Sequence, residues 1–134
     1  MSDKSLSLLC RIFAVMYAFG ALGFAATPRF TFRLVTLDAA PVGWTAQAMF
    51  WNVLAVAMMT SISTACWLVS KAPRERAWGL LPVAVAKLTS SALAAAHLVR
   101  FHDTGARAIA AIIITDFPLF LLTVWTFQKA RPSP

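Results

Sequence analysis

Two stretches, 77-AWGLLPVAVAKLTSSALAAAHLVR-100 and 106-ARAIAAIIITDFPLFLLTVWTFQ-128, decide how the chain is read. Each is long enough for one bilayer crossing, which takes about 20 mostly apolar residues in a helix. Each carries one ionisable residue near its middle, Lys87 in the first and Asp116 in the second. A charge at mid-membrane is expensive and is functional or architectural by default. The short connection 101–105 makes the two stretches an antiparallel hairpin. Folding the chain about Asp103 sets Lys87 opposite Leu119, three residues past Asp116. Three residues span roughly 4.5 Å of helix, which a lysine stem covers. The spacing predicts a Lys87–Asp116 salt bridge. Ser90 and Ser91 follow one turn after Lys87 and extend a polar face. Pro118 cannot donate to the carbonyl of Ile114, so a polar notch is expected beside Asp116.

The totals point the same way. Of 134 residues 60% are hydrophobic and 13% charged, where a soluble domain carries about 25% charged. The mean hydropathy is +0.73. The net charge is +7, but the basic residues stand singly at segment ends, as membrane flanks do. They are not clustered as a nucleic-acid footprint would be, so no nucleic-acid partner is expected. Cys10 and Cys66 lie inside apolar segments without CxxC spacing. They read as small buried hydrophobes, with no metal site.

Four spans follow, at about 5–26, 45–70, 77–100 and 106–128, in a single membrane domain covering 1–134. The first has a rival reading as a secretory signal peptide, with a basic start to Arg11, an apolar stretch Ile12 to Phe24 and small residues at Gly23 and Ala25. As a helix it offers Ala14, Ala18, Gly20 and Gly23 for close packing, and Arg11 can snorkel to the headgroups. The connection 27–44 is bracketed by Pro28 and Pro41, and Pro41-Val42-Gly43 reads as a turn. Phe30, Phe32 and Leu34 alternate with Thr31 and Arg33 in a strand-like pattern, leaving helix and strand both open for this interfacial loop. In the second span Asn52, Met59, Ser63 and Cys66 form one mildly polar stripe at helical spacing. Interhelical hydrogen bonds, worth about 0.6 kcal/mol each, are its plainer explanation.

With four spans, the N-terminus, the 71–76 loop and the C-terminus share a side. That side holds Lys4, Arg11, Lys71, Arg74, Arg76, Lys129 and Arg131, against Arg29, Arg33, Arg100 and Arg107 on the other. The positive-inside rule then places both termini in the cytoplasm of a multi-pass cell-membrane protein. Trp67, Trp78 and Trp125 fall at the cytoplasmic boundary and Trp44 and Trp51 at the outer one, as two aromatic belts.

The chemistry is sparse. Gly-rich phosphate loops, HExxH, a nucleophile elbow and hydrolytic acid pairs are all missing from the sequence, so no catalytic residue is assigned. Lys87 and Asp116 serve as a register-fixing pair, as a proton or ion site lined by Asn52, Ser63, Ser90 and Ser91, or in pairing with another subunit. His97 offers a ligand for haem or chlorophyll. However, His102 lies in the loop after the same helix, so the two cannot face each other as a bis-histidine site, and no cofactor is expected. In size and span count the chain resembles small multidrug exporters and DoxX-like four-helix proteins. Exporters depend on an acid in the first helix, and the stretch 5–26 has none; the DoxX-like likeness is architectural only and assigns no residue.

The expected fold is an all-α antiparallel four-transmembrane-helix bundle. The leading expectation is a non-catalytic accessory or scaffold subunit, with other membrane subunits or further copies of the chain as partners beside the lipid bilayer. The alternatives are a small oligomeric proton-linked transporter using the Lys87–Asp116 pair, and a pigment- or quinone-binding subunit using His97.

Overall fold

The structure, a computed structural model, describes residues 1–36, 45–100 and 106–131. It is helical with no strand among the described residues: α1 (Asp3–Ala26), α2 (Pro28–Thr36), α3 (Ala46–Lys71), a 3₁₀ turn (Ala77–Leu80) leading into α4 (Leu81–Arg100), and α5 (Ala106–Ala130). Four segments are long and apolar enough to cross a membrane: α1, α3, the turn with α4, and Ile109–Ala130 of α5. Their ends agree with the expected spans to within a few residues.

Local chemistry explains the boundaries. Ser2 caps α1 by accepting from the Ser5 amide at 3.2 Å, and Asp3 places a carboxylate in the first turn. Thr45 caps α3 in the same way, through the Ala48 amide at 3.1 Å. The Thr27 amide closes α1 on the Gly23 carbonyl. Pro28 has no amide with which to continue that ladder but suits the first turn of a new helix, so the chain bends and α2 begins. Pro82 is tolerated at the start of α4 for the same reason.

The alternating Phe30, Phe32 and Leu34 are thus helical, not strand-like. On α2, Phe32 turns inward and meets Phe24 edge-to-face at 5.2 Å between ring centroids, while Phe30 and Leu34 stay exposed. A Cβ on Gly23 would come within 3.1 Å of Thr31 Oγ1, so glycine lets α2 fold tightly back on α1. The expected turn at Pro41-Val42-Gly43, Trp44, and the 101–105 connection with His102 and Asp103 lie outside the described residues.

The helices pack most closely as two antiparallel pairs, α1 with α3 and α4 with α5. Ser7 Oγ donates to the Ser70 carbonyl at 2.6 Å and Ser63 Oγ to the Ala14 carbonyl at 2.7 Å. These bonds lock the first pair in register seven residues apart on each helix. Cys10, Phe13, Ala14 and Tyr17 of α1 join Ile62, Cys66 and Val69 of α3 and Leu80 and Val83 in a core that Leu119 and Phe127 of α5 cover. Both cysteines are free and buried in it, as expected of small hydrophobes.

This core occupies one half of the molecule. It sits at the end carrying the N-terminus, the 72–76 loop and the end of α5. Before Ile62, α3 has no buried residue, and neither do the described residues of α5 before Thr123. At that opposite end Phe50, Trp51, Val53, Val99 and Ile114 are exposed.

Candidate functional site

Lys87 projects from the middle of α4 and Asp116 from the middle of α5. The stems are set by the hairpin: Trp78 of the 3₁₀ turn, nine residues before Lys87, packs on Phe127 of α5 at 5.5 Å between centroids. From there the two helices bring Lys87 Nζ to 2.7 Å from Asp116 Oδ1. The lysine side chain is only 6% exposed and the aspartate 16%, so the pair is largely withdrawn from its surroundings.

Both carboxylate oxygens are engaged. Ser90 Oγ donates to Asp116 Oδ2, while Ser91 Oγ donates back to the Lys87 carbonyl at 2.8 Å. The second bond is a local helix bond and leaves the ammonium free for the carboxylate. Charge-assisted bonds of this kind are roughly twice as strong as neutral ones, and with both oxygens bonded the aspartate has little unmet demand.

Tyr17, the only tyrosine in the chain, completes the site from α1. Its ring lies 5.1 Å from Lys87 Nζ, so the ammonium rests between a carboxylate and an aromatic face. The Tyr17 hydroxyl is buried and lacks a hydrogen-bond partner. Sequence reasoning missed this residue. The available signal was a lone phenol at mid-length in an apolar span; what it faces depends on how α1 docks on the second helix pair.

The four expected lining residues separate. Ser90 and Ser91 belong to the pair. Ser63 is spent on the Ala14 carbonyl between α1 and α3. Asn52 lies eleven residues before Ser63, about 16 Å along the helix, and its Oδ1 is buried without a partner.

The notch expected from Pro118 is on the wrong side. α5 runs unbroken through Pro118. At about 100° per residue, Ile114 and Pro118 share a face and Asp116 lies nearly opposite; Ile114 is 71% exposed and Pro118 is exposed too. The carbonyl that proline frees therefore points away from the ion pair.

His97 is exposed on α4, and its Nδ1 lies 3.0 Å from the Leu93 carbonyl one turn back. Among the described residues no three His, Cys, Asp or Glu side chains are grouped to hold a metal ion. The chain matches no family model, no curated protein and no solved structure.

Proposed function

We propose that this chain is a small non-catalytic integral membrane protein, an accessory or scaffold subunit of a membrane complex, with four spans and both termini in the cytoplasm. The observation that carries the reading is the uneven burial. One half of the molecule has a shared core. In the other, α3 and α5 leave large apolar side chains exposed. A subunit that packs against another helical protein at that end accounts for the difference. The orientation is supported by the seven basic residues on the terminal side against four on the other.

In this reading Lys87 and Asp116 fix the register of α4 against α5 and exclude wrong pairings. A buried pair adds little net stability, but removing one partner costs about 3–5 kcal/mol because the other charge is stranded. Asp116→Asn is expected to abolish accumulation in the membrane, and the double change Lys87→Met with Asp116→Leu to restore most of it. A single variant that accumulates normally overturns the register role. The subunit role is tested by mild-detergent purification and native mass spectrometry, with a photo-crosslinker at Trp51. A defined heteromeric complex, cross-linked at that position, is expected. A clean homodimer with nothing else bound overturns it.

The unpartnered Tyr17 hydroxyl beside the pair favours a second reading, a small oligomeric proton-linked transporter. There Asp116→Asn accumulates normally but loses proton coupling, the opposite of what a register lock requires.

A further inference from the structure

Arg11 is the one arginine at the core end of the molecule that its own chain leaves unanswered. Arg74 binds Asp3 Oδ1 at 2.6 Å and the Met1 carbonyl at 3.3 Å. Arg76 reaches the Leu68 carbonyl at 3.3 Å, and Arg131 stacks on Trp78 at 4.8 Å. Among the described residues no hydrogen bond, ion pair or ring contact satisfies Arg11, which is exposed. It stands eight residues into α1, about 12 Å from the start of the helix. A guanidinium on an apolar span with no protein partner reaches for the headgroup level, where an anionic group can answer it.

The surroundings specify the partner. Arg11 borders an apolar groove of about 420 Å³ along α1, and a second groove of about 330 Å³ adjoins it at Leu8 and Ile12. Val15 continues one groove toward the middle of the helix, and Leu122 and Trp125 of α5 wall the other. The α1–α3 register, set by Ser7 on Ser70 and Ala14 on Ser63, brings Arg11 level with Cys66 and the exposed Trp67. Trp67 and Trp125 thus mark the depth of Arg11 as the level where indoles meet headgroups. An arginine side chain leans toward the N-terminus of its helix, which carries the guanidinium further outward from the apolar middle.

We propose that Arg11 and these grooves form a binding site for an anionic phospholipid. The guanidinium takes the phosphate with its paired N–H donors, and an acyl chain lies along Leu8, Ile12 and Val15. The surplus of basic residues at the same end selects a lipid with net negative charge over a zwitterionic one. The site rests on the membrane-spanning reading but not on the subunit role.

The test uses the full chain, purified from membranes in mild non-ionic detergent. Retained phospholipid is measured by mass spectrometry after addition of dioleoylphosphatidylglycerol, dioleoylphosphatidylcholine or inorganic phosphate. Retention of a single phosphatidylglycerol per chain is expected, with a raised unfolding temperature that neither phosphatidylcholine nor phosphate produces. Arg11→Gln is expected to lower retention by about tenfold or more, the loss of a charge-assisted bond. Val15→Trp, which fills the groove and leaves the charge, also lowers it, whereas Arg107→Gln, exposed at the opposite end, leaves it unchanged. Because Arg11 bonds no protein group among the described residues, Arg11→Gln folds normally. Equal retention by Arg11→Gln, equal binding of phosphatidylcholine, or reproduction of the effect by phosphate overturns the proposal. So does release of a bound polypeptide by Arg11→Gln with lipid unchanged, which identifies a partner carboxylate as the counter-ion. A chain absent from the membrane fraction overturns the spanning reading along with the lipid site.

Discussion

Tyr17 brings two opposing effects to one side chain. Its ring faces the Lys87 ammonium, and its hydroxyl is buried with no hydrogen bond. An unsatisfied buried hydroxyl costs about 1–3 kcal/mol, while the ring face contributes about 1–2 kcal/mol to a desolvated cation. Tyr17→Phe keeps the face and removes the hydroxyl, so it is expected to leave the unfolding temperature unchanged or raise it. Tyr17→Leu removes both and is expected to lower it. Thermal unfolding in detergent separates the two; a marked loss in Tyr17→Phe would mean that the hydroxyl has a bonded partner. Lys87 and Asp116 were legible as a pair because membrane-length segments and a short turn set their depths. Tyr17 was not, because its place depends on contacts distant in sequence. Pro118 misled for a simpler cause: nearness along the chain is not nearness around a helix, and two residues apart means nearly opposite faces.

At the level of elements, two glycines mark how closely the segments approach. A Cβ on Gly79, in the 3₁₀ turn, would lie 2.7 Å from Val69 Cγ2, and Val69 is 1% exposed. Valine is stiff at χ1 and has nowhere to move, so Gly79→Ala is expected to destabilise by about 1–3 kcal/mol, as overpacking does. A Cβ on Gly20 would lie 2.8 Å from Met59 Sδ. Methionine is flexible and adapts, so Gly20→Ala is expected to cost less than Gly79→Ala in the same unfolding measurement. Equal costs would show that the 72–76 connection yields as readily as a methionine. Element existence was readable from apolar length. The state of residues 28–36 was not, since Phe30, Phe32 and Leu34 fit a strand alternation as well as two sides of a helix. Pro28 after a closed helix end and the packing of Phe32 on Phe24 resolve it.

For the whole molecule, the orientation has a direct check. Glu75 is exposed in the loop between α3 and the 3₁₀ turn, while Cys10 and Cys66 are 1% and 0% exposed and offer little background to a water-soluble maleimide. Glu75→Cys is expected to react only when the reagent reaches the cytoplasmic face. Labelling from outside intact cells would invert the topology.

Composition and apolar length alone were enough for the helical class, the number of long apolar segments and the pairing of Lys87 with Asp116. These follow from what lipid and backbone permit, and they depend on residues close in sequence. Three features came only with packing: Tyr17 over Lys87, the uneven placement of the core, and an Arg11 left without a protein partner. Each is a relation between helices, fixed by which side chains interlock across α1, α3, α4 and α5. The hydropathy of a single segment carries no information about that.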